Sequence, residues 1–218
     1  MKRDVRLKLR AESSKVNRQQ VQGQTIYTIG HSNQEVKTFI GLLKKYSIEV
    51  VVDVRSNPYS KYASQFNKKE IQRDIRTNDM NYLFLGKEIG GKPSDPQFYD
   101  SDGYVLYSKI AGSADFLEGI ERLLNGIKQY KIALMCSEEN PETCHRRLLI
   151  GKVLSDHGVE VLHIRSDGRV QSERDILRED SLNQKNEAQQ SLFMIENGNN
   201  WKSVRAVKKA EAIEAEGV

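Results

Sequence analysis

The feature that most constrains the fold is an almost continuous apolar run, IEVVVDV, at residues 48–54. A strand with one solvent-facing side would alternate apolar and polar residues, so this run predicts a strand that is buried on both faces. Such strands occur mainly in parallel sheets whose two faces are covered by helices. Four further apolar or β-branched runs also predict strands, at residues 25–29, 82–85, 131–136 and 159–164.

The segments between the predicted strands carry helical signals. Apolar residues from Val36 to Leu43 recur with helical spacing, and Ser32 with Glu35 forms a predicted capping box before them. Three more helices are predicted to begin after caps at Asn67, Ser113 and Asn140-Pro141. The order β-α-β-α-β-α-β-α-β predicts an α/β fold with a mostly parallel sheet of about five strands. Residues 86–112 are glycine-rich, and we expect a long irregular loop there.

The two ends of the chain differ in composition from this central part. Residues 1–24 have a net charge of +5, whereas residues 25–164 are neutral. We therefore divide the chain into a basic, flexible arm (1–24), an α/β domain (25–165) and a polar C-terminal extension, partly disordered or helical (166–218). The arm suits a phosphate backbone or an acidic partner, or it is simply a solvated leader.

The sequence excludes several classes of protein. Two cysteines, Cys136 and Cys144, are too few for a secreted domain stapled by disulfides. No apolar run approaches the roughly 20 residues of a membrane span, and the N-terminus has no apolar signal-peptide core. We expect a cytoplasmic protein that does not enter a membrane.

Chemically reactive side chains concentrate where the predicted strands end. The carboxyl ends of parallel strands form the edge of the sheet at which α/β proteins bind their ligands. The side chains that follow these ends are His31, Ser32, Asp53, Arg55, Cys136, Glu138, Cys144, His145 and Arg146. Both cysteines and two of the four histidines thus map to one edge, which predicts the functional site there.

Roles follow from the chemistry of each residue type. The candidate catalytic residues are His31, Asp53, Glu138, Cys144 and His145. The candidate substrate-binding residues are Ser32, Arg55, Tyr59, Gly90, Gly91, Cys136 and Arg146. We expect Cys144 in the first turn of a helix beside two cationic neighbours, where the helix dipole would lower the pKa of its thiol. Structural alternatives stay open, because Ser32 is also a helix cap, Asp53 a partner for Arg55 and Cys136 a small core residue.

Several of these residues lie in short motifs that occur in a fixed order. They are TIGHS at 28–32, DVR at 53–55 with Pro58, LG at 85–86, GG at 90–91, CSE at 136–138 with Pro141, CHR at 144–146 and HI at 163–164. Over about residues 25–165 this set resembles domain-of-unknown-function family 488, with Ile89 where the family pattern has Leu. The resemblance implies a Rossmann-like three-layer domain and supports the edge residues as motif positions, but it implies no settled activity.

Three functions are compatible with these residues. The first is a hydrolase or group transferase acting on a phosphate-bearing small molecule, such as a nucleotide, or on nucleic acid, with Arg55 and Arg146 clamping the anion. Neither a dinucleotide-binding GxGxxG nor a P-loop is present. The second is a thiol site or a zinc or iron site built on Cys136, Cys144, His145 and His31. The third is a non-catalytic module that binds nucleic acid or another partner.

Overall fold

The computed structural model describes residues 21–178 and 201–207. Its strands are β1 Thr25–Gly30, β2 Val50–Asp53, β3 Asn81–Phe84, β4 Tyr104–Leu106, β5 Ile132–Cys136, β6 Glu160–Ile164, β7 Val170–Ser172 and β8 Lys202–Ala206. Its helices are α1 Val36–Lys45, α2 Lys68–Thr77, α3 Tyr107–Ala111, α4 Ala114–Gly126 and α5 Lys152–Asp156, and residues 173–178 are also helical. Turns of 3₁₀-helix occupy Ser64–Phe66, Pro96–Phe98 and Pro141–Thr143, and a π-helix occupies Arg146–Gly151.

Six strands form the central sheet in the order β3-β2-β5-β1-β6-β7. The five strands from β3 to β6 run parallel, and β7 pairs antiparallel with β6 at the edge. These five parallel strands are the five that the sequence predicts, so the mostly parallel α/β sheet is confirmed. A second small sheet pairs β4 with β8 in antiparallel fashion.

Helices cover both faces of the sheet, which produces the three layers of a Rossmann-like sandwich. On one face the core is built mainly from α1 and α2, through Phe39, Leu43, Ile71 and Ile75. On the other face it is built mainly from α4 and α5, through Phe116, Ile120, Leu123 and Leu154. Val51 belongs to the first core, while Val50 and Val52 belong to the second. Both faces of β2 are therefore buried, which accounts for its uninterrupted apolar sequence.

The prediction of a capping box at Ser32 is wrong. Helix α1 begins at Val36, and Glu35 at its N-terminal boundary makes no side-chain capping bond. Ser32 instead has a φ of +47°, and its N–H donates to the carbonyl oxygen of Ser137 at 2.8 Å. The chain after β1 thus continues to pair with the chain after β5, and the helix begins three residues later than the cap at Ser32 predicts.

The predicted helix after Asn140 is wrong in its first part. The side chain of Asn140 does cap Glu142, but only the 3₁₀ turn Pro141–Thr143 follows. Cys144 then adopts an extended conformation, with φ −105° and ψ 138°. Helical structure resumes in the π-helix and continues into α5, and Gly158 follows with a φ of +84°, as a helix end requires.

The glycine-rich segment 86–112 is more regular than the sequence suggests. It contains β4 and α3, and β4 pairs with β8 from near the C-terminus. Residues 201–207 therefore pack against the α/β body beside this segment. The basic arm, apart from residues 21–24, and residues 179–200 and 208–218 of the extension lie outside the described part of the chain.

Candidate functional site

The parallel strands bring the predicted edge residues together. In the sheet, Gly30 at the end of β1 is in register with Cys136 at the end of β5, and Asp53 at the end of β2 is in register with Met135. A side chain on Gly30 would collide with the carbonyl of Glu138, so glycine permits this close approach of the two loops. The segments that follow β1, β2 and β5 consequently form one continuous edge.

A sulfur-rich cluster lies at the centre of this edge. The Sγ atoms of Cys136 and Cys144 and a ring nitrogen of His145 all lie within 4.8 Å of one another. The Nδ1 atom of His145 is 3.7 Å from the sulfur of Cys136 and 3.9 Å from that of Cys144. On the other side of the ring, Nε2 lies 3.0 Å from the carbonyl oxygen of Val54, which fixes the orientation of the imidazole.

Glycine also determines where this imidazole sits. A Cβ atom on Gly91 would come within 2.5 Å of Cγ of His145, far closer than van der Waals contact. Gly90 is similarly pressed against the side chain of Ser56 and the carbonyl of Gly86. Gly90 and Gly91 therefore let their loop pack directly on the site.

The electrostatics of the cluster favour one thiolate, on Cys136. A hydrogen bond from Cys144, reinforced by the positive charges of His145 and Arg146, lowers the pKa of Cys136 well below its usual value despite burial. Burial and then the neighbouring Cys136 raise the pKa of Cys144. The expectation of a lowered pKa at Cys144 is thus wrong, because this residue is extended and fully buried rather than placed in the first turn of a helix. Burial opposes protonation of His145, but the Cys136 thiolate raises its pKa.

Arg55 is held by partners inside the protein. Its guanidinium forms a bidentate ion pair with Asp53, with distances of 2.9 and 2.6 Å, and also donates to the carbonyl oxygen of Phe66 at 2.9 Å. The hydroxyl of Tyr82 donates to the same carboxylate at 2.7 Å. Asp53 is completely buried, so its position is that of a counterion for Arg55 rather than of an exposed base.

His31 belongs to the Arg55 network and not to the sulfur cluster. Its Nδ1 donates to the carbonyl oxygen of Ser32 at 2.7 Å, and its Nε2 accepts from Arg55 at 2.9 Å. Its ring also stacks on Phe66, with centroids 4.2 Å apart. Burial, together with the charge of Arg55, lowers the pKa of His31 to about 4, so the ring is neutral at pH 7.

Arg146 is the largest fully buried side chain in the described part of the chain. It donates to the carbonyl oxygens of Glu138 and Glu139, the latter at 2.6 Å, and its Nε donates to Thr28 at 3.3 Å. This guanidinium fastens the loop after β5 to the body. An anion clamp that includes Arg146 would require that loop to open.

The network continues behind Arg146 to the edge of the sheet. Nδ1 of His163 lies 2.8 Å from Oγ1 of Thr28, and Nε2 lies 3.0 Å from the carboxylate of Glu173, which Arg147 also contacts at 2.9 Å. Because a carboxylate only accepts, Nε2 carries the ring proton, and the Thr28 hydroxyl donates to Nδ1 while accepting from Arg146. The side chains of Thr28, His163 and Glu173 in this hydrogen-bond network thus all have partners.

A pocket of about 150 Å³ opens above the sulfur cluster. Its walls come from the loops after β2 and β5, the glycine-rich segment and β8, and they consist of Arg55, Ser56, Asn57, Gly91, Lys92, Tyr107, Cys136, Ser137, Glu138, Thr143, His145, Ser203, Val204, Arg205 and Val207. Within the described ranges, the side-chain charges of Lys92, Arg205 and Glu138 have no ion-pair partner within 4.0 Å. All three residues line the pocket and are exposed, so their charges are accessible to a ligand there.

The pocket separates the predicted residues into two groups. It brings together Arg55, Gly91, Cys136, Glu138 and His145, and Cys144 lies in direct contact beneath. The residues that do not line it are His31, Ser32, Asp53, Tyr59, Gly90 and Arg146. Tyr59 is 69% exposed on the loop after β2.

Sequence reasoning missed Lys92, Tyr107, Ser203 and Arg205. Lys92 directly follows the glycine pair and could have been found by its position in that motif. Ser203 and Arg205 carry no local signal, because they reach the pocket only through the pairing of β8 with β4.

No helix within the described ranges is both long and apolar enough to span a membrane.

Comparison with known proteins identifies a family for this chain but no individual relative. No curated protein and no solved structure matches the chain. The family model for Domain of unknown function DUF488 matches residues 35–153, which include the DVR, GG and CSE motifs and the CHR triplet. Since this match spans more than half of the sequence, the chain belongs to the DUF488 family.

Proposed function

We propose that the protein is an enzyme, a hydrolase or group transferase, that acts on a small phosphate-bearing substrate in the pocket above the sulfur cluster. One observation carries the proposal: two unpaired cations, Lys92 and Arg205, and one unpaired carboxylate, Glu138, line the same pocket as Cys136 and His145. Uncompensated cations at a concave site attract anions, and a guanidinium matches the geometry of a phosphate.

The size of the pocket limits the substrate. Its volume of about 150 Å³ is well below the roughly 300–1,000 Å³ of pockets that enclose whole drug-sized ligands. It suits a phosphoryl group with the few atoms attached to it, while the remainder of a nucleotide or another phosphate ester extends into solvent.

The roles of the charged residues follow from their chemistry. Lys92 and Arg205 hold the phosphoryl oxygens, and Glu138 acts as the general base. Glu138 takes a proton from the attacking water or acceptor hydroxyl, the new P–O bond forms and the ester P–O bond breaks. The leaving oxygen takes up a proton from bulk water, and Glu138 then releases its own proton to bulk water. Asp53 is less suited to this role, because Arg55 and Tyr82 occupy its carboxylate.

The proposal is tested with the full-length chain and a panel of nucleoside mono-, di- and triphosphates, sugar phosphates and p-nitrophenyl phosphate. We expect phosphate release that falls about 10²–10⁴-fold in Glu138→Gln, the range for loss of a general base. Lys92→Gln and Arg205→Gln should raise KM. The matched controls, Glu118→Gln on the outer face of α4 and Lys87→Gln in the same glycine-rich segment, should keep the wild-type rates. Absence of turnover across the panel, or equal rates in Glu138→Gln and Glu118→Gln, would refute it.

A second candidate function is binding of nucleic acid at the loop after β2. Tyr59 and Tyr62 are 69% and 79% exposed, and Nζ of Lys61 lies 5.0 Å from the ring centroid of Tyr62. Exposed aromatic rings next to cations are typical of surfaces on which single-stranded bases stack.

The anisotropy of a labelled single-stranded oligonucleotide tests this alternative. Binding should weaken in Tyr59→Ala/Tyr62→Ala and stay unchanged in Leu117→Ala, which removes a side chain exposed to 52% on α4. Deletion of residues 1–20, which spares the buried Val21, should reduce the salt dependence of binding if the basic arm contributes.

We place the proposed activity in the cytoplasm. Both cysteines are free thiols. Adjacent reduced thiols are typical of a reducing compartment.

A further inference from the structure

The floor of the pocket contains a cluster of metal-ligand-type side chains that has no role in the proposed reaction. Both cysteines of the chain lie close to Nδ1 of His145. Cys144 is the preceding residue in the sequence, whereas Cys136 lies nine residues before His145. The two sulfur atoms and the ring nitrogen lie within 4.8 Å of one another, and both cysteines are buried. Such a close grouping of three potential metal ligands suggests a shared function.

We propose that Sγ of Cys136, Sγ of Cys144 and Nδ1 of His145 bind one divalent transition-metal ion, with Zn²⁺ as the preferred ion. Thiolate and imidazole are the ligands that zinc favours in proteins, and carboxylate-preferring ions such as Mg²⁺ are poorly matched to them. The proposal adds a cofactor to the pocket and rests on the proposed function only for the role of that ion, not for its binding.

The distances agree with ligands around one ion. Zinc binds sulfur at about 2.3 Å and imidazole nitrogen at about 2.0–2.1 Å, so a sulfur and a nitrogen of one tetrahedral site lie about 3.6 Å apart. Nδ1 of His145 lies 3.7 Å from Cys136 and 3.9 Å from Cys144. An ion between the three atoms would account for both of these similar distances.

The contact on the far side of the ring supports the same ligand atom. The carbonyl oxygen of Val54 can only accept, so Nε2 of His145 carries a proton. Binding of a metal ion would release the second ring proton and leave the lone pair of Nδ1 for the ion. Metal-binding histidines almost always donate their second nitrogen to a carbonyl or carboxylate in this way, which fixes the tautomer and aims the ring. Val54 thus supplies the outer contact that a ligand at His145 needs.

The number of ligands indicates which kind of site this is. Structural zinc sites have four protein ligands, whereas catalytic sites have three and keep a position for water or substrate. Within the described ranges, three such residues form the cluster, and both Cys136 and His145 face the pocket. Because two of the three residues line the pocket, an ion held there would be accessible to a phosphoryl group in it, and zinc would polarise an oxygen or activate the attacking water.

The first test measures metal in the untagged, full-length protein purified without chelator. We expect about one equivalent of zinc per chain by inductively coupled plasma mass spectrometry. After removal of zinc, titration with Co²⁺ should produce the thiolate-to-metal charge-transfer and visible bands of a tetrahedral sulfur-ligated site. Because this titration uses the wild-type chain, it remains decisive even if ligand variants fail to fold. Absence of both zinc and the cobalt bands, with both thiols reduced, would overturn the proposal.

Variants then assign the ligands. Cys144→Ser and His145→Gln should each reduce bound zinc by at least about tenfold, the lower end of what loss of an outer-shell contact alone costs. The matched control is His157→Gln, at the end of α5, which should retain the full equivalent. Retention of zinc in both Cys144→Ser and His145→Gln would show that the ion lies elsewhere.

The outcomes separate this proposal from the proposed function. Zinc binding without turnover on the phosphate panel would leave the metal site standing and remove the proposed reaction. Turnover that survives complete removal of metal, in a chain that binds neither zinc nor cobalt, would do the reverse.

Discussion

Arg55 and Arg146 differ sharply from Lys92 and Arg205, although all four lie around the same edge of the sheet. The two arginines of the sequence motifs are at most 5% exposed, and their guanidinium groups are occupied by partners inside the protein. Lys92 and Arg205 are exposed and without an ion-pair partner in the described part of the chain. A charge that is fully paired in the interior holds loops in place, whereas an unpaired charge in a pocket is available to a ligand.

This comparison changes how the sequence motifs are interpreted. Arg55 fastens the loop after β2 through Phe66, and Arg146 fastens the loop after β5 through Glu138 and Glu139. The motif arginines thus hold in place the loops around the pocket, and Lys92 and Arg205, which lie outside those motifs, supply its exposed positive charge. This division between structural and ligand-binding cations would fail if a buried arginine proved dispensable for stability or an exposed cation proved necessary for it.

The largest effect is expected from Asp53→Asn. The substitution leaves the buried guanidinium of Arg55 without its counterion, and breaking a buried ion pair on one side costs about 3–5 kcal/mol in the free energy of unfolding. Urea unfolding followed by circular dichroism measures this loss. The control is Asp74→Asn, whose pair with Arg73 is exposed and should contribute less than about 1 kcal/mol. Similar losses in the two variants would contradict a structural role for the buried pair.

A slightly smaller effect is expected from Arg146→Met, which keeps an apolar side chain of similar length. The change leaves the carbonyl oxygens of Glu138 and Glu139 without donors, and each buried unpaired polar group costs about 1–3 kcal/mol. We expect a total loss of about 2–4 kcal/mol in the free energy of unfolding. Arg122→Met, which removes a partly exposed pair with Glu88, is the control. A loss no larger than in this control would mean that Arg146 is free to bind ligand.

Gly91→Ala should cost about 1–3 kcal/mol, the usual range for overpacking. Its new methyl group would overlap the ring of His145, which must move away from the two sulfurs. Zinc content should therefore fall while far-ultraviolet circular dichroism stays unchanged. Gly41→Ala is the matched control, because its Cβ meets nothing within 4 Å and lies within α1, where alanine is favoured. Full zinc content in Gly91→Ala would show that the ring position does not matter.

Acid should destabilise the hydrogen-bond network in which His163 contacts Thr28 and Glu173. Burial, helped by the charges of Arg146 and Arg147, lowers the pKa of His163 despite its hydrogen bond to Glu173. The unfolded chain therefore binds this proton more readily than the folded one. The contribution of the neutral ring is complete above about pH 6.5 and is lost as the pH falls below that value.

Urea unfolding at pH 7.5, 6.5 and 5.5 measures this dependence. The free energy of unfolding should fall with pH in the wild-type protein and in His157→Gln, and fall less steeply in His163→Gln. Equal slopes in the wild-type protein and His163→Gln would contradict the assignment of the proton to this ring.

The parts of the fold that sequence predicts are those with local signals. The run at 48–54 is continuous because Val50, Val51 and Val52 alternate between two cores, and that alternation needs no knowledge of distant residues. Strands β4 and β8 are only three and five residues long and are stabilised by each other across about 100 residues. Nothing near either strand in the sequence reveals that partner.

The candidate site likewise has a part that the sequence predicts and a part that depends on tertiary contacts. The edge of the sheet is predictable because strand order places Cys136, His31 and Asp53 at carboxyl ends. Which of these side chains faces a ligand depends on tertiary partners such as Phe66 and Tyr82, which carry no such signal. The lowered pKa of Cys136 rather than Cys144 likewise follows from an extended residue where a helical one is expected.

The smallest effect on stability is expected from Lys92→Gln and Arg205→Gln. Exposed substitutions away from structural contacts usually change the free energy of unfolding by less than about 0.5 kcal/mol. Isothermal titration with inorganic phosphate should nevertheless show weaker binding in each variant, and weaker still in the double variant, because both cations act on one anion. Lys87→Gln should bind phosphate like the wild-type protein. Unchanged phosphate affinity in the double variant would assign the anion to Arg55 after all, and the contrast between buried and exposed cations would then fail at the point where it matters most for function.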